Sequence, residues 1–286
     1  MKITDILKGK SPSLSFEVFP PKTTDKFEGV LSATMQIADL YPSYMSVTYG
    51  AGGGTSAYTA DIASRLLAHG VTPLAHLSCI SSTKSEVMAH LSDLKARGIE
   101  NILALRGDIP TDFSHRNMEY RYASELIAEI KAFGGFCIGG ACYPEGHPES
   151  ASHRQDIEAL KIKASAGCDF LTTQMFFDND ILYNFMYRLL SAGVNIPVVP
   201  GIMPVTSAAQ IKRLVAISGN TLPQKFIRIV DRYGESPEAM TEAGIAFATE
   251  QIIDLYANGF NAVHVYSMNK PHVAAKIKEN LSNIIG

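Results

Sequence analysis

The sequence of 286 residues has no tryptophan, only four cysteines, and no apolar run of the length that spans a membrane. No two cysteines form a C-x-x-C pair, and none stands at zinc-finger spacing from a histidine, so neither a disulfide framework nor a structural metal is expected. The first residues lack the apolar core of a secretory signal. These absences predict a cytoplasmic protein with reduced thiols.

An excess of positive charge is also missing. Lys and Arg number 25 against 28 Asp and Glu, which gives a formal net charge of -3. The aromatic residues are not interleaved with runs of Lys or Arg, so an extended nucleic-acid surface is not expected. The hydrophobic fraction of 46% is typical of a globular protein with one large core.

Short β-type runs alternate along the chain with amphipathic helical patterns, and glycine follows many of the helices, as at Gly70 and Gly98. The predicted strands are Leu14–Phe19, Met45–Tyr49, Thr72–Leu77, Asn101–Leu105, Phe136–Ala141, Phe170–Thr173, Val198–Ile202 and Ala262–Val265. The predicted helices are Asp25–Leu40, Ser56–His69, Lys84–Arg97, Tyr122–Phe133, Ser152–Ala166, Asp180–Ala192, Ser207–Ile217, Pro223–Tyr233, Pro237–Asn258 and Pro271–Asn283.

This alternation predicts parallel strands with helical crossovers. Eight strands favour an α/β fold of the closed (β/α)8 TIM-barrel type, forming one domain over residues 1–286 with extra helices. A doubly wound open sheet is the alternative. In a barrel, the polar residues at the carboxyl ends of the strands are the candidates for chemistry.

The first strand carries the clearest candidate. Its alternation places Leu14, Phe16 and Val18 on the helix-facing side and Glu17 on the side of the barrel mouth. Partial burial there would raise the pKa of Glu17 toward that of a general acid. The alternative role is that of a buried ion-pair partner.

Polar residues also end the next three strands. The glycines at 52–54 resemble a phosphate loop but fit neither a Walker motif nor G-x-G-x-x-G, so a plain loop in which Thr55 caps the next helix is favoured. His76 is either a site residue or a satisfied core histidine. Arg106 could clamp a diphosphate, and Asp108 adds a second carboxylate.

Three further features lie in the second half of the chain. The loop from Tyr143 to Pro148 offers stacking and hydrogen-bonding groups or is a surface turn. Asp156 and Lys163 share a helix face, as site residues or as a solvated pair. Gln174 points inward and could bind substrate.

Six segments together resemble the methylenetetrahydrofolate reductase family. They are Ser15–Lys22 (SFEVFPPK), Ser46–Gly50 (SVTYG), Ala104–Asp108 (ALRGD), Tyr143–Pro148 (YPEGHP), Thr173–Asp178 (TQMFFD) and Val199–Pro204 (VPGIMP). The resemblance implies a barrel that binds FAD noncovalently and reduces 5,10-methylenetetrahydrofolate to 5-methyltetrahydrofolate with NADH or NADPH, in a ping-pong hydride transfer that feeds methionine synthesis. It also implies a homo-oligomer.

The resemblance assigns roles to individual residues. It implies that Glu17 is the general acid and that Asp108 lies near the flavin and pterin rings. Thr48 matches a position near the nicotinamide. The positions that match FAD contacts are Tyr49, Ala51, His76, Arg106, Gly107, Asp108, Ala123, Tyr143, His147, Asp156 and Lys163. Gln174, Gln210 and Lys270 match folate contacts.

The chain departs from the family pattern at Lys270 and at a further position, Leu214. Lys270 stands where relatives carry arginine, so a point charge replaces a planar fork. Leu214 stands where a familiar member has an aromatic ring. Two other functions stay open on sequence grounds: a flavin barrel reductase with another substrate, and a flavin-binding subunit of a larger redox complex.

Overall fold

The computed structural model describes residues 1–49, 56–109 and 118–285 of the chain. Its strands are β1 Ser13–Val18, β2 Met45–Val47, β3 Pro73–Ser78, β4 Asn101–Leu105, β5 Cys137–Cys142, β6 Phe170–Thr173, β7 Val198–Val199, β8 Gly201–Ile202 and β9 Ala262–Tyr266. All pairings are parallel, in the order β7-β6-β5-β4-β3-β2-β1-β9-β8. The predicted barrel is confirmed, and the open-sheet alternative is wrong.

The barrel closes through a strand that a proline divides. The predicted strand Val198–Ile202 is two short strands separated by Pro200, which has no N–H to donate to a sheet. The first half, β7, pairs with β6, and the second half, β8, pairs with β9. The carbonyl of Pro200 accepts a hydrogen bond from the His264 amide at 2.8 Å, so the interruption still contributes to the closure.

Helices follow the strands around the outside of the barrel. They are α1 Ile3–Leu7, α2 Phe27–Ala38, α3 Ser56–Ala68, α4 Lys84–Ala96, α5 Ala123–Phe133, α6 His153–Ser165, α7 Asn179–Ser191, α8 Ala208–Ser218, α9 Gln224–Tyr233, α10 Pro237–Ala257, α11 Pro271–Asn280 and α12 Ser282–Ile285. A 3-10 turn, Thr24–Lys26, precedes α2. Side-chain caps fix several starts, including a capping box between Thr83 and Glu86 at α4. No described helix has the length and apolar character required to cross a membrane.

The alternation of β1 sorts its side chains as expected. Leu14, Phe16 and Val18 belong to the main core between the strands and the helices. A second apolar cluster fills the lower interior of the barrel and includes Leu74 and Phe170. Ile3 of α1, a helix that the sequence patterns did not predict, packs into this cluster and closes the amino-terminal end. The interior above the apolar layer is polar, and the candidate site begins there.

Candidate active site

Glu17 lies inside the barrel among polar side chains from three other strands. Its Oε2 is 3.4 Å from Ser46 Oγ on β2, 3.6 Å from His76 Nε2 on β3 and 4.0 Å from His264 Nε2 on β9. Strand register explains the grouping, because Glu17 pairs with Ser46 on one side and with Tyr266 on the other. The Glu17 side chain keeps 21% of its surface exposed, so the acid is enclosed but still reachable.

Burial controls the charge of this cluster. It raises the pKa of Glu17 to about 8, and a hydrogen bond donated by Ser46 would act in the opposite direction. Burial also lowers the pKa of His76 and of His264 to about 3. At neutral pH the carboxyl is therefore protonated and both imidazoles are neutral. Such a carboxyl can give up a proton, which is the property required of a general acid.

A cavity of about 270 Å³ lies beside the carboxyl ends of β4, β5 and β6. It is lined by Arg106 and Asp108, by the loop from Tyr143 to Glu149, and by Gln174, Met175 and Asn220. Asp108 is exposed on this cavity. Glu17 is not among the described residues that line it, so the two carboxyl groups occupy different environments.

Arg106 is the cation of the cavity and is engaged by Glu149. Its Nη1 and Nη2 donate to the two oxygens of Glu149 at 2.5 and 2.7 Å, and this bond raises the pKa of Arg106. Gly107 follows with φ of +86°, and a Cβ on it would collide with Ser78 Oγ. Only glycine fits this close turn, which fixes the start of the loop that carries Asp108.

The loop after β5 brings aromatic and buried charged groups to the cavity. Tyr143 and His147 meet edge to face, with ring centroids 4.6 Å apart. Behind them, Asp156 is buried and its pKa is raised by burial. Lys163 Nζ donates to the Ala141 carbonyl at 2.7 Å, and burial lowers its pKa. The alternative of a solvated pair at positions 156 and 163 is therefore wrong.

Two of the predicted folate contacts converge on Thr206, a residue that the sequence analysis did not select. Lys270 Nζ donates to Thr206 Oγ1 at 2.6 Å. Gln210 Oε1 accepts from the Thr206 amide at 3.0 Å and from its hydroxyl at 3.3 Å. Gln174 lies apart from them in the cavity, where its Oε1 accepts from the Met175 amide at 3.0 Å.

Three further predicted positions that the structure describes do not line the cavity. Tyr49 points toward the helical layer, where its hydroxyl lies 3.4 Å from His90 Nε2 on α4. Ala123 is buried as the first residue of α5. The Thr48 amide donates a hydrogen bond to the carbonyl of Val18, the residue after Glu17, at 3.0 Å. Ala51 and the neighbouring glycines lie outside the described residues.

Ser46, His264 and Glu149 are site residues that sequence reasoning missed. A signal existed for the first two, because a serine and a histidine stand within apolar strand segments at Ser46 and His264. No local pattern marks Glu149, whose partner is 43 residues away. Within the described ranges, no group of three or more His, Cys, Asp or Glu is arranged to hold a metal ion.

A closed parallel barrel with an enclosed carboxyl of raised pKa inside it, and a cavity beside its strand ends, has the arrangement of a (β/α)8-barrel enzyme. The profile of the methylenetetrahydrofolate reductase family matches residues 2–282. The chain therefore belongs to the methylenetetrahydrofolate reductase family.

Individual relatives agree with this assignment. The 5,10-methylenetetrahydrofolate reductase of Escherichia coli is 32% identical over 270 residues, which cover 94% of this chain and 90% of that protein. Methylenetetrahydrofolate reductase (NADH) 1 of Arabidopsis thaliana is 32% identical across 99% of this chain, which spans only 51% of the plant protein. The chain thus spans about half the length of the plant relative and most of the bacterial one.

A solved structure shares the fold. It is an uncharacterized protein from Clostridium thermocellum that binds two copies of 5-methyl-5,6,7,8-tetrahydrofolic acid. Its TM-score is 0.69 at 14% identity, and the match covers 99% of this chain and all of that one. At this identity the likeness establishes the barrel fold alone.

Proposed function

We propose that this protein reduces 5,10-methylenetetrahydrofolate to 5-methyltetrahydrofolate, with FAD as a noncovalent cofactor and NADH or NADPH as the hydride donor, in a ping-pong sequence. The observation that carries the proposal is the enclosed Glu17 carboxyl inside the barrel, whose pKa burial raises to about 8. Membership of the reductase family, and the names of the bacterial and plant relatives, support the substrate. The folate bound by the Clostridium thermocellum neighbour is consistent with it.

Arg106 and the rings of the cavity suit FAD in donor type, and three acidic residues, Asp108, Glu145 and Glu149, share the lining with them. Arg106 already holds a carboxylate at two points, which is the way its fork would hold two oxygens of a diphosphate. Tyr143 and His147 supply rings beside it. Because Glu149 occupies the fork, a diphosphate there requires Glu149 to move away. When bound, FAD would carry the hydride between the nicotinamide and the folate.

Residues of the chain would supply the proton, stabilise the charged intermediate and bind the folate. Opening the five-membered ring of methylenetetrahydrofolate needs a proton on a ring nitrogen, and Glu17 is the group that holds one at neutral pH. The exposed carboxylate of Asp108 would stabilise the positive charge of the opened ring. Gln174, together with the Gln210 and Lys270 pair at Thr206, would bind the folate.

Anaerobic stopped-flow measurements on purified protein test the proposal. The visible flavin spectrum should bleach with NADH or NADPH and return when methylenetetrahydrofolate is added. In Glu17→Gln, reduction by the nicotinamide should persist, whereas reoxidation by the folate should be lost. Glu242→Gln, at an exposed position of α10, is the matched control and should behave as the unsubstituted protein. Equal damage to both half-reactions in Glu17→Gln would remove Glu17 from the acid role.

A further inference from the structure

A line of polar side chains runs inside the barrel from β1 to β9 and back to Glu17. Ser15 Oγ lies 2.8 Å from His264 Nδ1, His264 Nε2 lies 3.0 Å from Ser46 Oγ, and Ser46 Oγ lies 3.4 Å from Glu17 Oε2. We infer that His264 is a positioning residue that holds the hydroxyl hydrogen of Ser46 away from Glu17 and so keeps the acid protonated. The inference deepens the proposed function and rests on it for the role of Glu17.

The first step is the tautomer of His264. The imidazole is only 2% exposed, and burial keeps it neutral, so it carries one N–H and one bare nitrogen. Ser15 Oγ reaches two acceptors, the Val263 carbonyl at 3.1 Å and His264 Nδ1 at 2.8 Å, and in the inferred arrangement its single hydrogen points to the carbonyl. The Ser15 oxygen is then an acceptor for His264 Nδ1–H, and His264 Nε2 is the bare nitrogen.

The second step is the direction of the Ser46 hydroxyl. A serine hydroxyl has one hydrogen, and two acceptors compete for it. A hydrogen donated to Glu17, 3.4 Å away, would lower the pKa of its carboxyl. In the inferred arrangement the hydrogen points instead to the bare His264 Nε2, which is nearer, at 3.0 Å. Ser46 therefore presents lone pairs to Glu17. A protonated carboxyl can donate to them, whereas an ionised carboxylate is repelled, and the neutral acid is favoured.

Packing prevents the His264 ring from turning away from Ser46. Tyr44 lies parallel to it at an interplanar angle of 6°, with centroids 5.6 Å apart. Tyr266 meets it edge-on at 84° and is itself held by a hydrogen bond of 2.5 Å from its hydroxyl to the Thr173 carbonyl. In addition, Ser15 and Ser46 contact the two ring nitrogens, which fixes the rotation of the ring in its plane.

The other titratable groups that face Glu17 do not reverse the preference for its protonated form. His76 approaches from β3 and is neutral at working pH. Tyr266 on β9 and Tyr44, just before β2, interact with Glu17 as well, and burial raises the pKa of both phenols. All of these groups, among the described residues, are uncharged near pH 7. The hydroxyl of Ser46 is thus the donor whose direction decides whether an ionised Glu17 is stabilised.

The test is an infrared titration of the Glu17 carboxyl in the purified protein without folate, with the Glu17→Gln spectrum subtracted. In His264→Phe, which keeps a planar ring but has no nitrogen, the freed Ser46 hydroxyl should donate to the carboxylate. The midpoint should fall by about one pH unit. The double variant His264→Phe/Ser46→Ala should lose this fall, because the donor is gone. His272→Phe, at an exposed position of α11, should leave the midpoint unchanged.

The pH profile of flavin reoxidation by methylenetetrahydrofolate gives the second readout. In His264→Phe the alkaline limb of this profile should move to lower pH, as the infrared midpoint does. In the double variant it should return to the pH of the unsubstituted protein. An unchanged midpoint in folded His264→Phe, or an equal fall in the double variant, would overturn the inference. His264→Leu gives the same test if the larger ring does not fit. Failure of folate to reoxidise any protein would contradict the proposed function instead, since the titration needs no folate.

Discussion

The guanidinium of Arg106 holds the carboxylate of Glu149 by two parallel contacts, with Nη1 at 2.5 Å from Oε2 and Nη2 at 2.7 Å from Oε1. Arg106 is mostly buried at the cavity, whereas the Glu149 side chain is 57% exposed. Glu149 can leave the pair without losing a buried environment, because most of its side chain already faces solvent. A ligand anion can take the place of Glu149 on the fork.

Glu149→Gln should bind FAD more tightly than the unsubstituted protein. The neutral amide competes less well for Arg106 and does not repel a diphosphate, so we expect the Kd for FAD to fall by about two- to five-fold. Fluorescence quenching of FAD titrated with apoprotein measures it. Glu158→Gln, on the exposed side of α6, is the control and should leave the Kd unchanged. Weaker FAD binding by Glu149→Gln would show that Glu149 assists the cofactor.

Thr206→Val should weaken folate binding without slowing flavin reduction by NADH or NADPH. The substitution keeps the volume but removes the hydroxyl that receives Lys270 Nζ and donates to Gln210. Both folate-binding side chains then lose a fixed position, and the folate KM should rise several-fold. Thr249→Val is the control, because the Thr249 hydroxyl on α10 donates to the Ile245 carbonyl and accepts from Asn280 of α11. Equal effects of the two substitutions would argue against a special role of Thr206.

The Thr206 and Glu17 clusters show where sequence reasoning succeeds and where it stops. The alternation of β1 was enough to place Glu17 inside the barrel, because side-chain direction is a local property of a strand. The partners of Glu17 were not predicted, since His264 is 249 residues from Ser15 and only closure of the barrel brings β9 beside β1. Thr206 was missed for the same reason, as its contact with Lys270 spans 64 residues.

Gly201→Ala should destabilise the closure of the barrel. A Cβ at this position would collide with the Thr173 carbonyl and lie 2.5 Å from the Tyr266 hydroxyl, which donates a hydrogen bond to that carbonyl. We expect a loss of about 1–3 kcal/mol in the free energy of unfolding, measured by urea denaturation. Gly29→Ala in α2 is the control: nothing lies within 4 Å of its Cβ, and it should gain about 0.5–1 kcal/mol. Similar values for the two variants would contradict the packing argument.

Glu17→Gln should be more stable than the unsubstituted protein at pH 8, and the difference should vanish toward pH 4. The folded state keeps the Glu17 proton up to a pKa of about 8, whereas the unfolded chain releases it near 4.5. Because the folded state binds more protons in this window, the contribution of Glu17 to stability declines as the pH rises through it. Each unit of difference between the folded and unfolded pKa corresponds to about 1.4 kcal/mol, so the free energies of unfolding of the two proteins should differ by a few kcal/mol at pH 8. His76 and His264 also make the free energy of unfolding depend on pH, but they do so equally in both proteins, so their effect cancels in the difference. Urea midpoints measured from pH 4 to pH 8 should diverge, and parallel curves would mean that Glu17 is ionised in the folded protein.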